Sequence, residues 1–114
     1  MRIKFYCDLY ISDSWVNKKK KIMEKLQRNA LQPTVYIVTL SQGPQNNLEF
    51  YSSMLLKQHI FDGADLFVVG IADGYADAVY MIERITADAF RNTGDADIRR
   101  YILERQDEYE RTGR

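Results

Sequence analysis

Two short runs of consecutive apolar residues, at positions 34–40 and 66–72, limit the possible folds of this chain more than any other feature. Uninterrupted apolar runs of this length are typical of strands that are covered on both faces, as in a parallel sheet. A third segment, at positions 2–12, instead alternates between apolar and polar side chains. This period of two predicts a first strand with one apolar face and one amphipathic face.

The first strand carries Tyr6, Asp8 and Tyr10 on its amphipathic face and Cys7 on its apolar face. A central strand of a covered sheet should be apolar on both faces. We therefore expect this strand at an edge of the sheet, or covered by another subunit or by the last helix. The position of Cys7 predicts a thiol packed in the core, where a raised pKa makes it a poor nucleophile.

Between and after the strands, apolar residues recur at intervals of three and four, which predicts four helices that each bury one side. We expect the first helix to begin at Asp13 or Ser14 and the fourth to be capped by Asp95, after a stop at Gly94. The apolar positions are Trp15, Val16, Ile22, Met23, Leu26 and Ala30 in the first helix, Leu48, Tyr51, Met54 and Leu55 in the second, Ala78, Val79, Ile82, Ile85, Ala89 and Phe90 in the third, and Ile98, Tyr101 and Ile102 in the fourth.

The resulting order, β-α-β-α-β-α-α, predicts an α/β fold: a small three-layer sandwich around a mainly parallel, three-stranded sheet. A chain of 114 residues is long enough for one such domain, 1–114, with about two thirds of its surface buried. We expect residues 110–114 to be a frayed tail. The element order is similar to that of flavodoxin-like and Rossmann-like domains, and similarity of order alone implies no function.

The net charge of the chain is zero, but its charges are separated along the sequence. Residues 1–30 hold eight basic and three acidic side chains, whereas residues 62–114 hold seven basic and twelve acidic ones. The first balance is +5 and the second is −5. Two such segments either pair within one molecule or attract a partner, and a homodimer held by these charges should weaken with salt.

Three predicted loops, at 12–14, 41–47 and 73–77, follow strands, where ligands of open parallel sheets bind. Helix N-termini at these loops favour anions, and Asp13 with Asp73 could share a magnesium ion. The alternative is that the loop residues only cap helices and form turns, since neither a Walker lysine nor a Gly-x-Gly-x-x-Gly motif is present. The candidate ligand-binding residues are Asp13, Ser14, Gly43, Asn46, Asp73 and Gly74.

A second group of candidate residues suggests contacts with a macromolecule. Lys18, Lys21 and Lys25 form a ridge along the first predicted helix, which could meet an acidic protein surface, bind nucleic acid or simply be solvated. Exposed aromatic residues of the first strand and last helix are of the kind found at protein interfaces. The candidate interaction residues are Tyr6, Tyr10, Lys18, Lys21, Lys25, Tyr101 and Tyr109.

The single cysteine and the single histidine, Cys7 and His59, exclude an internal disulfide and a conventional zinc site. We find no catalytic constellation, and we expect His59 to contact free carbonyls at the end of the second helix. No export signal or membrane-spanning run is evident. The sequence therefore favours a cytoplasmic, non-catalytic binding protein without a cofactor, membrane partner or nucleic-acid partner, which self-associates. The alternative is a domain that binds a phosphate, a nucleotide or a magnesium-dependent ligand.

Overall fold

The chain forms a four-stranded mixed sheet with helices on both faces, in a computed structural model that describes residues 2–41, 47–58 and 61–114. The strands are β1 (Arg2–Ile11), β2 (Val35–Leu40), β3 (Leu48–Ser52) and β4 (Asp65–Asp73). The helices are α1 (Lys19–Gln27), α2 (Tyr75–Thr93) and α3 (Ile98–Thr112), with short 3₁₀ helices at Asp13–Lys18 and Ser53–Lys57.

The strand order is β1-β4-β2-β3, so the first strand lies at an edge as the sequence predicts. β1 and β4 are parallel, whereas β2 runs antiparallel to both β4 and β3. The prediction of an α/β domain is confirmed, but the prediction of a mainly parallel, three-stranded sheet is wrong. Two features differ from the prediction: β3 is an additional strand that pairs with β2 as a hairpin, and β2 runs opposite to β1 although α1 connects them.

The segment that forms β3 has the spacing of a helix in the sequence but the environment of a strand in the structure. Leu48 and Phe50 pack against the core on one face of the sheet, whereas Tyr51 packs against the core on the other. Tyr51 lies opposite Ile37 of β2, and Leu48 lies opposite Leu40. Pairing with an already apolar strand therefore decides the conformation of these five residues.

Two hydrophobic clusters lie on opposite faces of the sheet. α1 contributes Ile22 and Leu26 to one cluster, and α2 and α3 contribute Met81 and Ile102 to the other. α2 crosses β4 closely at Gly70, because a β-carbon built there would lie 2.3 Å from the sulfur of Met81. Glycine at this position lets the helix and the strand approach each other.

A bulge in β1 changes which residues face each cluster. The register with β4 shifts between Phe5 and Tyr10, and the period of two is interrupted there. Cys7 consequently packs against the cluster beneath α2 and α3, not on the face of Phe5 as the alternation predicts. Tyr6 is buried in the same cluster as Cys7.

The ends of α2 and α3 follow local rules that the sequence identifies in part. Gly94 ends α2 in a left-handed conformation, with a φ of 79°, as predicted. The cap of α3 is Asp97, whose side chain accepts a hydrogen bond from the backbone N–H of Arg100 at 3.1 Å, and not Asp95. The tail predicted to fray is helical through Thr112. None of the helices that the structure describes has the length and hydropathy to cross a bilayer.

Candidate functional site

The parallel pairing of β1 and β4 places the ends of these two strands side by side. Ser12 connects them: its hydroxyl accepts a hydrogen bond from the backbone N–H of Asp73 and donates one to Asp77 Oδ2, both at 2.8 Å. Ser14 donates a further hydrogen bond to Asp73 Oδ2 at 3.3 Å. The polar groups at this end of the sheet are thus largely hydrogen-bonded to one another.

A cleft of about 230 Å³ opens beside Ser12. Its charged lining consists of Asp13, Asp77 and Arg84, with Tyr80 beside them. Two carboxylates against one guanidinium give the cleft a negative balance, which opposes the binding of phosphate. Ser12 is absent from the sequence-based candidates, although its position directly after the last apolar residue of the first strand could have identified it.

The predicted ligand-binding residues come together only in part. Asp13, Ser14, Asp73 and Gly74 all lie where β1 and β4 end, and the Gly74 N–H donates to the Thr34 carbonyl at 2.9 Å. Gly43 and Asn46 lie outside the described residues. Ser41 and Asn47 flank Gly43 and Asn46 in the sequence. Because β2 runs antiparallel to β4, Ser41 and Asn47 lie at the other end of the sheet, and a site built from three strand ends is not formed.

Asp13 and Asp73, the two carboxylates of the magnesium hypothesis, lie at the same end of the sheet because β1 and β4 are parallel. Within residues 2–41, 47–58 and 61–114, no three histidine, cysteine, aspartate or glutamate side chains group closely enough to hold a metal ion. His59 lies outside the described residues.

The tyrosines predicted to contact a partner lie mostly inside the molecule. Tyr6 is only 4% exposed, and burial raises its pKa. Tyr10 donates a hydrogen bond to Asp88 at 2.6 Å, and its pKa is raised by burial and by that carboxylate. Tyr101 packs against the same cluster, which leaves Tyr109 as the exposed member of the set.

Cys7 is held by α3. Its backbone N–H donates a hydrogen bond to Gln106 Oε1 at 2.7 Å, and its sulfur lies 4.0 Å from the carbonyl oxygen of Arg105. Burial is the main cause of the raised pKa of the thiol. A thiol in this environment is a weak nucleophile, so its location does not favour catalysis.

Two half-buried rings, Tyr36 and Phe50, and two exposed residues, Tyr75 and Val79, form a surface that we call the aromatic face. The ring centroids of Phe50 and Tyr75 are 5.3 Å apart, and those of Tyr36 and Tyr75 are 6.3 Å apart. Tyr75 is 62% exposed, and Val79 lies one turn further along α2. The prediction that Val79 and Phe90 face the core is wrong, because both side chains are exposed. The aromatic face borders β3, which is an edge strand whose residues are all half-buried.

The same side of α2 continues the apolar surface beyond Val79. Ile82 and Phe90 line an apolar groove of about 540 Å³, and their spacing from Tyr75 keeps them within one stripe of the helix. Apolar surface therefore extends from the hairpin of β2 and β3 to the far end of α2.

The basic residues of the first thirty positions fall into two groups in the structure. The basic residues of β1 pair within the molecule, Arg2 with Asp65 at 2.9 Å and Lys4 with Glu110 of α3. The lysines of α1 are instead on the face of the sheet opposite α2 and α3. Lys18, Lys21 and Lys25 line a groove of about 330 Å³ together with Trp15 and Gln32.

Comparisons of this chain with protein-family models, with curated proteins and with solved structures found no match.

Proposed function

We propose that this protein is a non-catalytic interaction module that self-associates through the aromatic face. The observation that supports this function best is the contact between the exposed ring of Tyr75 and the half-buried ring of Phe50 beside a sheet edge. Contiguous exposed apolar surface is uncommon on monomeric proteins and is typical of interaction sites. Aromatic residues are also enriched in the cores of protein interfaces.

The position of β3 favours a second copy of the chain as the partner. An edge strand has unpaired backbone groups along one side, and a two-fold axis beside it lets two β3 strands pair antiparallel. This arrangement would continue the sheet across both copies and place their aromatic faces next to each other. The groove along α2 would enlarge the contact toward the roughly 800 Å² per partner of stable interfaces.

Burial of apolar surface is the driving force that we propose, not the pairing of opposite charges. The unpaired lysines of α1 lie on the opposite face of the sheet from α2 and α3. A two-fold interface uses the same surface of both copies, so charges on opposite faces of the sheet cannot meet across it. We therefore expect a dimer that changes little with salt, in contrast to the salt-sensitive dimer that the sequence alone predicts.

Sedimentation equilibrium over a series of protein concentrations tests this function. We expect reversible association to twice the monomer mass, which Tyr75→Ala weakens strongly. Tyr80→Ala is the matched control, because Tyr80 is 60% exposed on the same helix but lies on another side of it. A monomer at all concentrations, or equal effects of the two substitutions, would contradict the proposal.

A second candidate function is a small-ligand site at the ends of β1 and β4, and the cleft lined by Asp13, Asp77 and Arg84 favours it. The carboxylates of Asp13 and Asp77 suit a ligand with a cationic group better than a phosphate or nucleotide. Thermal unfolding in the presence of magnesium, phosphate, a nucleotide and a small amine distinguishes these ligands. Stabilisation by one ligand without any change in mass would support this function over self-association. For either function we propose a cytoplasmic location.

A further inference from the structure

The groove beside α1 combines positive charge, apolar surface and an unpartnered amide. Lys18, Lys21 and Lys25 line it, and none of its lining side chains is a carboxylate. None of the ion pairs that the structure describes involves these three lysines, in contrast to Arg2 and Lys4 of β1. The groove therefore has a positive potential that no carboxylate of its lining compensates.

A second feature of the groove is the buried side chain of Gln32. Its residue is only 8% exposed, and its side-chain Nε2 has no hydrogen-bond partner. The backbone carbonyl of Gln32 accepts a hydrogen bond from the Ser53 hydroxyl at 2.7 Å and one from the Val35 N–H at 3.1 Å, which fixes the residue beside the groove. A buried polar group without a partner is costly, and this nitrogen is closed off from the groove surface, so a ligand acceptor would remove that cost after the Gln32 side chain turns toward the groove.

The remaining lining is apolar. Trp15 is half-buried, Leu31 is exposed, and Ile22 and Val35 are buried beneath them. A ligand that contacts only the lysines would leave this apolar surface in water. The lining thus suits a ligand with negative groups and one apolar side chain.

We propose that this groove binds an acidic peptide segment in which carboxylates flank an apolar side chain. The carboxylates would contact the lysines, and the apolar side chain would lie against Trp15. A peptide carbonyl would accept from Gln32 Nε2 after that side chain turns toward the groove. Lys18 ends the 3₁₀ helix before α1 and Lys25 lies in the last turn of α1, and seven residues at the rise of an α-helix span about 10 Å. In an extended peptide, side chains on one side recur every 7 Å or so, which allows two carboxylates to reach this ridge.

Charge distinguishes a peptide from nucleic acid at this site. Nucleic-acid-binding domains are typically strongly basic, whereas this chain has a net charge of zero. A long polyanion in the groove would also approach other surfaces of the protein. Residues 62–114 carry a charge balance of −5, which opposes its binding. A short acidic segment needs only the local positive charge.

The fluorescence of Trp15, the one tryptophan of the chain, reports directly on this groove. The probe is a capped hexapeptide with leucine and phenylalanine at its centre and aspartates and glutamates on both sides. We expect a saturable change in Trp15 fluorescence, and Lys21→Glu should weaken the affinity at least about fivefold. Lys20→Glu is the matched control, since Lys20 is adjacent in sequence but lies outside this groove.

Gln32→Met should weaken peptide binding while raising the midpoint of thermal unfolding, because it removes a buried donor that the unbound protein leaves unpartnered. A merely structural glutamine would not give these opposite effects. The inference is overturned if the peptide gives no saturable change, if Lys20→Glu and Lys21→Glu act equally, or if a single-stranded oligonucleotide binds more tightly than the peptide. The same titration with Tyr75→Ala should be unchanged, which separates this site from self-association.

Discussion

The side-chain oxygen of Gln106 accepts a hydrogen bond from the backbone N–H of Cys7 at 2.7 Å, and this contact joins α3 to the bulge of β1. The register shift leaves Cys7 without a ladder partner in β4. Gln106 is buried, so its amide replaces a missing strand contact where water has little access.

Replacing this glutamine should be costly. We expect Gln106→Leu to lower the free energy of unfolding by about 2 kcal/mol, because the Cys7 N–H would stay buried without an acceptor. Urea unfolding followed by circular dichroism measures the change. Gln27→Leu is the control, since Gln27 makes an exposed hydrogen bond to the Ile3 carbonyl. Equal losses for the two variants would show that the bulge does not depend on Gln106.

Ser12 should matter more than Ser14. Ser12→Ala removes both the acceptor of the Asp73 N–H and the donor to Asp77, and we expect a loss of about 2 kcal/mol in the free energy of unfolding. Ser14→Ala removes one exposed contact, and its effect should stay within about 0.5 kcal/mol. If chemical denaturation ranks the two variants in the opposite order, Ser12 does not connect the strand ends as described.

The close approach of α2 to β4 predicts a coupled pair of substitutions. Gly70→Ala should destabilise the protein by about 1–3 kcal/mol, because its β-carbon would overlap the Met81 side chain. In the Met81→Ala background the same change should cost clearly less. Gly63→Ala is the control, as nothing lies within 4 Å of a β-carbon there. Additive effects at positions 70 and 81 in a double-mutant cycle would contradict the packing described.

The turn before α3 predicts an acid sensitivity. The pKa of Asp95 lies below its ordinary value of 3.8, chiefly because its carboxylate accepts a hydrogen bond from the Asp97 N–H. A lowered folded-state pKa contributes stability above pH 3.8, and this contribution is lost as the pH falls through the lower folded value. Below about pH 4 we expect the wild type to lose stability more steeply than Asp95→Asn.

Unfolding free energies measured at pH 6 and at a series of lower pH values test this expectation. Asp107→Asn, at an exposed acidic position of α3, serves as the control substitution. Parallel pH curves for the wild type and Asp95→Asn would show that this carboxylate makes no such contribution.

The sequence predicts those elements that have a long run of regularly spaced apolar residues or an end marked by a neighbouring residue. α2 follows from nineteen residues with helical spacing and from Gly94, which provides its own left-handed end. β4 follows from an apolar run that is buried on both faces. Such signals need no knowledge of the partners across the sheet.

The strand β3 could not be predicted in the same way, because its five residues fit both periods. Leu48 and Tyr51 have a helical spacing, whereas Leu48 and Phe50 have the spacing of a strand. Because β2 runs antiparallel to β4 as well as to β3, its carboxyl end lies away from those of β1 and β4, and one strand end is missing from the expected ligand site. The aromatic face was missed for the same reason, since Phe50 and Tyr75 become neighbours only through this hairpin. The lysine ridge was found from its spacing, but the proximity of Gln32 to it depends on how α1 packs.

Amide hydrogen exchange at low and high protein concentration tests the central claim, that two copies meet at the β3 edge and the aromatic face. We expect the amides of β3 and of the first turn of α2 to exchange more slowly as the protein associates, while the amides of α1 are unchanged. Exchange at β3 that does not depend on concentration, or slowing confined to α1, would contradict this account.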